Sequence, residues 1–252
     1  MRLVRFRFGD RIATGVAADD QIRVLGGTFF ENPVPTGEEV PIADVRLLAP
    51  VLPSKIVGIG LNYHAHAEEF GQPIPEEPLL FLKPATSVIG PGDPIPLHPL
   101  SERVDYEGEL AVVIGRLARR LDEESAAKAI LGYTCGNDVT LRDLQSKDDQ
   151  WTRAKAFDGS NPLGPWIETD LDPANLALET RVNGEVRQSS RTSDLAVGPA
   201  ELISFISMYM TLLPGDVIMT GTPAGIGPLH RDDLVEVEIE GIGVLENHAV
   251  EG

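Results

Sequence analysis

Val104-Asp-Tyr-Glu107-Gly-Glu109-Leu-Ala-Val-Val-Ile114 is the stretch that decides how this chain is read. In a strand, residues two apart share a face. Glu107 and Glu109 therefore stand beside Ala111 and Val113, with Tyr106, Leu110, Val112 and Ile114 opposite. Both faces turn apolar, so the segment is not a polar-out surface strand. Two carboxylates side by side on a half-buried face repel each other and lose hydration, and a divalent cation relieves both costs. Oxygen-only donors suit Mg2+, Mn2+ or Ca2+ better than zinc. The alternative is an exposed strand end with two solvated glutamates, and Glu-x-Glu spacing by itself does not separate the two readings.

Toward the C-terminus, Leu131-Gly-Tyr-Thr-Cys-Gly-Asn-Asp138-Val-Thr-Leu-Arg142-Asp-Leu-Gln145 supplies a third acid at the end of an apolar strand. Arg142 and Gln145 follow it at helical spacing, which directs all three toward one place. The competing reading makes Asp138 a helix cap and Arg142 its ion-pair partner.

Toward the N-terminus, Asn62-Tyr-His64-Ala-His66-Ala-Glu68-Glu69 follows the Gly-rich end of an apolar strand beginning at Lys55. In a helix, His66 and Glu69 touch at i, i+3. The carboxylate then fixes one imidazole nitrogen and leaves the other to move a proton. His64 reads as structural or exposed, and no third His or Cys stands nearby to complete a zinc site. Lys83 ends the apolar run Leu79-Leu-Phe-Leu-Lys83, a costly position unless an anion or carboxylate pairs with it. Lys155 reads more simply as a solvated lysine. Thr220-Gly-Thr222-Pro-Ala-Gly225-Ile-Gly227 lacks the Gly-Lys of a P-loop; its amides hold a carboxylate or it merely turns. No Gly-x-Ser-x-Gly elbow occurs, so covalent hydrolase chemistry has no candidate nucleophile.

The 252 residues, 42% hydrophobic and 24% charged, suit a soluble globular chain with one sizeable domain or a core plus a small appendage. No apolar run approaches the ~18–20 residues of a membrane span. Cys135 is the only cysteine, which excludes an intrachain disulfide. The opening MRLVRFRFGD reads as a first strand and not as a signal peptide, making the cytoplasm the default location. A net charge of −18 argues against nucleic acid and anionic membranes as partners. An anionic substrate remains compatible, because a bound cation and a few basic side chains reverse the field locally.

Many short strand patterns, a two-residue hairpin signal at Asn183-Gly184, two helices (123–131, capped by Asp122, and 200–211) and 20 prolines indicate an α+β fold. Mixed or antiparallel sheet should dominate it. Residues 1–50 read as a small N-terminal β domain of three strands running into an irregular Pro/Gly-rich linker, and residues 51–252 as the main domain.

Taken in order, Gly-Leu-Asn62-Tyr-x-x-His66-x-x-Glu69, Phe81-Leu-Lys83-Pro, Asp105-Tyr-Glu107-Gly-Glu109-Leu, Gly136-Asn-Asp138-Val-Thr-x-Arg142-Asp-x-Gln145, Lys155-x-Phe157-Asp and Thr220-Gly-Thr222-Pro-x-Gly225 resemble the fumarylacetoacetate hydrolase family over roughly residues 54–248. The resemblance implies a mixed β-sheet core rolled into a pseudobarrel, and a homodimer. It implies Mg2+ or Mn2+, with Ca2+ as an option, held by Glu107, Glu109 and Asp138. His66 and Glu69 become a general acid/base pair on a lid, and Lys155 supports the metal site and developing negative charge. Lys83, Arg142, Gln145 and Thr222 become ligands for substrate oxygens or water.

The substrate class it implies is a small anionic 2-oxo or dicarbonyl acid, processed through a metal-stabilised enolate. The leading reaction is isomerisation of 2-hydroxyhepta-2,4-diene-1,7-dioate, or decarboxylation of its tricarboxylate precursor, in homoprotocatechuate breakdown. C–C hydrolysis of an acylpyruvate or fumarylpyruvate and oxaloacetate decarboxylation are the alternatives. A non-catalytic metal- or ligand-binding member is a third, against which the complete His66, Glu69, Lys155 set speaks.

Overall fold

A computed structural model describes residues 1–252. All seven residues of the Gly108–Ile114 strand are buried, because it is central rather than peripheral. It pairs antiparallel with Ile130–Asn137 on one side, setting Glu109 opposite Gly136 and Leu110 opposite Cys135. On the other side it pairs antiparallel with Val217–Met219. Leu110, Val112 and Ile114 enter a 21-residue core cluster, while Ala111 and Val113 join a second cluster with Leu163, Ile167 and Met219 on the opposite face. Burial on both sides is what makes both faces apolar.

The sheet containing this strand has twelve strands. Beyond Val217–Met219 it continues through Lys55–Gly60, which runs parallel, to Leu79–Pro84 at the edge. A five-stranded sheet, ordered Glu185–Arg191, Ala177–Val182, Leu234–Ile239, Gly243–Glu251 and Ile95–Leu97, contributes Leu178, Val237, Ile239 and Leu245 to the larger core cluster. The helix Pro199–Tyr209 adds Leu202, Ile203 and Ile206 to it. A three-stranded piece (Thr140–Leu141, Val104–Tyr106, Gly227–Pro228) closes one end. The fold is α+β with mixed sheet, as the patterning indicates.

Local signals resolve in detail. Asn183 and Gly184 both take positive φ (53° and 78°) and set Val182 opposite Glu185, the geometry a two-residue hairpin needs. Asp122 caps its helix by accepting from the Ser125 amide at 2.8 Å, but the helix ends at Ala127, four residues short of the expected end. There the Ala129 carbonyl turns to accept from Gly115, and the next strand starts at Ile130.

The N-terminal strands Arg2–Phe8, Arg11–Ala18 and Gln21–Gly26 fall where the alternation puts them. A fourth, Val34–Pro41, lies inside the stretch expected to be an irregular linker. It is the outermost strand of the large sheet, so Pro35 and Pro41 sit where the sheet ends and a missing N–H is tolerated. These strands bury Val4, Phe6, Ile22, Val24 and Val40 in a cluster of their own. They join the core edge to edge through Arg2–Glu168 and Leu3–Ile167.

Leu110→Ala would leave a void where both sheets and the Pro199–Tyr209 helix meet. We expect a loss of about 2–5 kcal/mol in urea unfolding, with the strand order preserved.

Candidate active site

The central strand is interrupted where its chemistry lies. Val104–Tyr106 and Gly108–Ile114 are separate strands, and Glu107 is the break between them. Four hydrogen bonds hold the break. The Glu107 amide donates to Asn137 Oδ1 at 2.9 Å, and the Asp138 amide donates to the Glu107 carbonyl at 2.8 Å. The Gly108 amide donates to Gln188 Oε1 at 2.9 Å, and the Gly108 carbonyl accepts from Thr222 Oγ1 at 2.9 Å. Gly108 is required here, since a Cβ would lie 2.1 Å from Thr180 Oγ1.

This brings Glu107, Glu109 and Asp138 together, all buried, with one oxygen from each within 4.8 Å of the others. The exposed-strand-end reading of the glutamates is therefore overturned. Lys155, only 3% exposed, bridges Glu107 Oε2 and Asp138 Oδ2 at 2.7 Å each, so the solvated reading of that lysine falls as well. Lys83 donates to Asp138 Oδ1 and, at 2.8 Å, to the Ser160 carbonyl. Its side chain has no exposed surface and does not line the cavity; in place of the substrate contact the resemblance implies, the structure has it holding Asp138.

Arg142 does not reach the site by helical spacing from Asp138. A two-residue strand, Thr140–Leu141, intervenes, and Arg142 opens a new helix, Arg142–Lys147. Asp138 is neither its cap nor its ion-pair partner. Arg142 donates instead to Glu107 Oε1, to Asp105 Oδ2 at 2.9 Å and to Gln145 Oε1 at 2.5 Å. His66 lies in the short helix His64–Glu69, its Nδ1 3.0 Å from Glu69 Oε2. The Gly225 amide donates to the other Glu69 oxygen at 3.1 Å, tying this helix to the Gly-rich loop.

Electrostatics separate the two glutamates. Burial pushes the Glu107 carboxyl up, but Lys155, Arg142 and His66 outweigh it and hold it at about 2. Burial, Asp138 and Glu107 push Glu109 well above the ordinary carboxylate range; Lys155 and the Gly221 amide, at 2.8 Å, oppose this without outweighing it. Burial lowers Lys155, yet Asp138 and Glu107 raise it more. Lys83 is lowered by burial despite Asp138. Glu109 is thus a buried carboxylate with no basic side chain bonded to it. That deficit, with three hard oxygen donors converging, fits a divalent cation.

A cavity of ≈ 480 Å³ opens over this cluster, a volume suited to a small ligand. His66, Glu107, Glu109, Arg142, Gln145, Lys155 and Thr222 line it; Glu69 and Asp138 stand behind them. Phe81 and Trp151, 5.5 Å apart and edge to face, make an apolar wall. The arrangement can hold a cation, bind oxygen anions and transfer a proton in one enclosure.

Four contributors carry no individual signal in the sequence. Asp105, with no exposed surface, fixes both Arg103 and Arg142. Arg103 lines the cavity. Asn137 and Gln188 hold the break in the central strand, and nothing local in the sequence marks Gln188, which lies 80 residues from Gly108.

Comparison with known proteins is consistent with this geometry. A family model described as fumarylacetoacetate (FAA) hydrolase C-terminal matches residues 55–250, and one described as Rv2993c-like, N-terminal matches residues 1–50. The structure of 5-carboxymethyl-2-hydroxymuconate delta-isomerase from Mycobacterium smegmatis superposes with a TM-score of 0.94 at 50% identity, covering 100% of each chain. That of 2-hydroxyhepta-2,4-diene-1,7-dioate isomerase from Mycobacterium marinum gives 0.93 at 46% identity, covering 100% of this chain and 98% of the other. Human mitochondrial oxaloacetate tautomerase FAHD2A is 42% identical over 224 residues, 84% of this chain and 71% of that protein.

Glu109 sets a pH test. Its folded-state carboxyl holds a proton more tightly than in the unfolded chain. The metal-free protein therefore gains stability from it at low pH and loses that gain as pH rises from the ordinary carboxylate range through the raised value. Glu109→Gln should abolish this decline in a thermal-melting series taken with chelator. It should also abolish the stabilisation by added Mg2+ or Mn2+, about 2.7 kcal/mol for the wild type at about 100 Kd.

Proposed function

The chain belongs to the fumarylacetoacetate hydrolase family, and on that footing we propose that it is a divalent-metal-dependent isomerase of a small 2-hydroxy-2-enoate diacid. The leading substrate is 2-hydroxyhepta-2,4-diene-1,7-dioate. The observation that carries the reading is His66, with Glu69 behind it at 3.0 Å, lining the same cavity as Glu107 and Glu109 of the acidic cluster. Pure binding needs the cluster but has no use for an imidazole whose tautomer is set by a carboxylate.

Glu107, Glu109 and Asp138 would hold Mg2+ or Mn2+, which when bound supplies a Lewis acid for the 2-oxygen and its neighbouring carboxylate. Glu69 accepts from His66 Nδ1–H, leaving Nε2 as the base. His66 takes the proton from the enol hydroxyl and returns one to C5. The 2,4-diene becomes a 2-oxo-3-ene with no atom gained or lost. Lys155 and Arg142 hold positive charge beside the oxygens on which negative charge develops. Phe81 and Trp151 keep water from one wall of the cavity, which disfavours hydrolysis of the carbon skeleton.

The name of the human relative supports a second reading, keto–enol tautomerisation of oxaloacetate. It uses the same proton transfer on a shorter diacid. Decarboxylation of the tricarboxylate precursor and acylpyruvate cleavage require the same cluster but end differently.

The test is product mass and ultraviolet spectrum after metal-loaded protein meets the dienedioate, the tricarboxylate, an acylpyruvate and oxaloacetate, each with and without chelator. A chelator-sensitive spectral change at unchanged mass is the expected result on the dienedioate. Loss of carbon dioxide or uptake of water with cleavage would reassign the reaction. His66→Ala should lower kcat by about 10²–10⁴-fold, and an unchanged rate would remove His66 from the mechanism.

A further inference from the structure

Most basic groups around the cavity are already committed. Lys155 is shared between Glu107 and Asp138, and Lys83 is spent behind the wall. Each of the three guanidinium nitrogens of Arg142 donates to a side chain, reaching Asp105, Gln145 and Glu107. Arg103 differs. Its Nε and Nη2 donate to the two oxygens of Asp105 at 2.8 and 3.0 Å, and its Nη1 has no protein partner. The Arg103 side chain is 48% exposed, while the carboxylate that grips it has no exposed surface. The result is a guanidinium anchored on a buried acid and held at the cavity mouth with one edge unspent. Two further acids stand near this mouth: Asp143, occupied by Ser101 and Lys147, and Glu69, whose charge reaches Arg103 but whose oxygens are taken by His66 and the Gly225 amide.

We propose that Arg103 is a specificity-determining residue that reads the second carboxylate of an extended diacid at the mouth of the cavity. The inference rests on the diacid reading above and deepens it. A ligand whose first carboxylate lies over the buried cluster presents its far end toward the mouth, where Arg103 stands. A pre-positioned guanidinium binds a carboxylate with little further loss of side-chain freedom. Being part-exposed, it contributes more to choosing among ligands than to stability. An acid too short to span from the buried cluster to the mouth forgoes the contact.

Calorimetric binding of heptanedioate and its monomethyl ester to the metal-loaded protein decides the matter, because the probes match in length and differ by one charge. The wild type should prefer the diacid by roughly tenfold or more. Arg103→Gln should bring that ratio close to one by weakening the diacid selectively, and Arg103→Lys should keep much of the preference. Equal weakening of both probes in Arg103→Gln would mean that the residue acts only by bracing Asp105 and Arg142, and overturns the proposal. So does a wild type that binds the two probes alike or binds neither. Failure of the wild type to turn over the dienedioate would sink the reaction proposed above and leave this binding ratio readable, so the two ideas fail separately.

Discussion

Three carboxylates buried within a few ångströms of one another are the constraint around which the rest of this molecule is arranged. Burying one ionised group costs several kcal/mol, and burying three together adds their mutual repulsion. The chain meets that cost from distant places. Lys83 comes from an edge strand, Lys155 from a short helix and Arg142 from the first turn of another. Their nitrogens satisfy Glu107 and Asp138 and leave Glu109 short of a cation. That imbalance turns a structural ion-pair network into a place where a divalent cation belongs.

Such a network works only if its members are held still, and the scaffold supplies this. The break at Glu107 is fixed from Asn137 in the neighbouring strand and from Gln188 in the five-stranded sheet. Gln188 also donates to Thr222 Oγ1 at 2.7 Å and to the Pro223 carbonyl at 2.8 Å, so one side chain joins the acidic strand to the Gly-rich loop. That loop in turn receives the His66 helix through Glu69. The His66 helix and the acidic cluster are thereby referred to the same few residues, which fixes their relative placement.

The His66 helix is the short route from the Gly-rich strand end to the cavity wall. It is six residues long and its N-cap receives no side-chain hydrogen bond. Its anchors include the Glu69–Gly225 contact, a bridge from Tyr63 to Leu195, an edge contact between His66 and Phe70, and Phe70 beneath the Arg142 guanidinium at 5.6 Å. Tyr63 at its start and Ala67 within it are buried, so the helix is seated by packing as well as by these contacts. The core beneath is held more firmly, because both faces of the Gly108–Ile114 strand are buried.

What the sequence determined by itself was whatever depends on neighbours along the chain. An apolar run on both faces marked the strand after Glu107 as buried, Asn183-Gly184 set a hairpin, Asp122 capped a helix, and three acids at apolar strand ends pointed to a cation. These follow from periods of two and 3.6 residues and from turn chemistry, which act over a few positions. Only the tertiary structure decided that Lys155 is buried and not solvated. It alone showed that Lys83 props Asp138 away from the cavity, that Arg142 answers Asp105 and Glu107, and that a proline-flanked stretch forms an edge strand. The reason is physical: whether a lysine is solvated or paired depends on what lies across the fold. The partners here are 55 residues apart for Lys83 and Asp138 and 48 for Lys155 and Glu107, separations that no local pattern encodes.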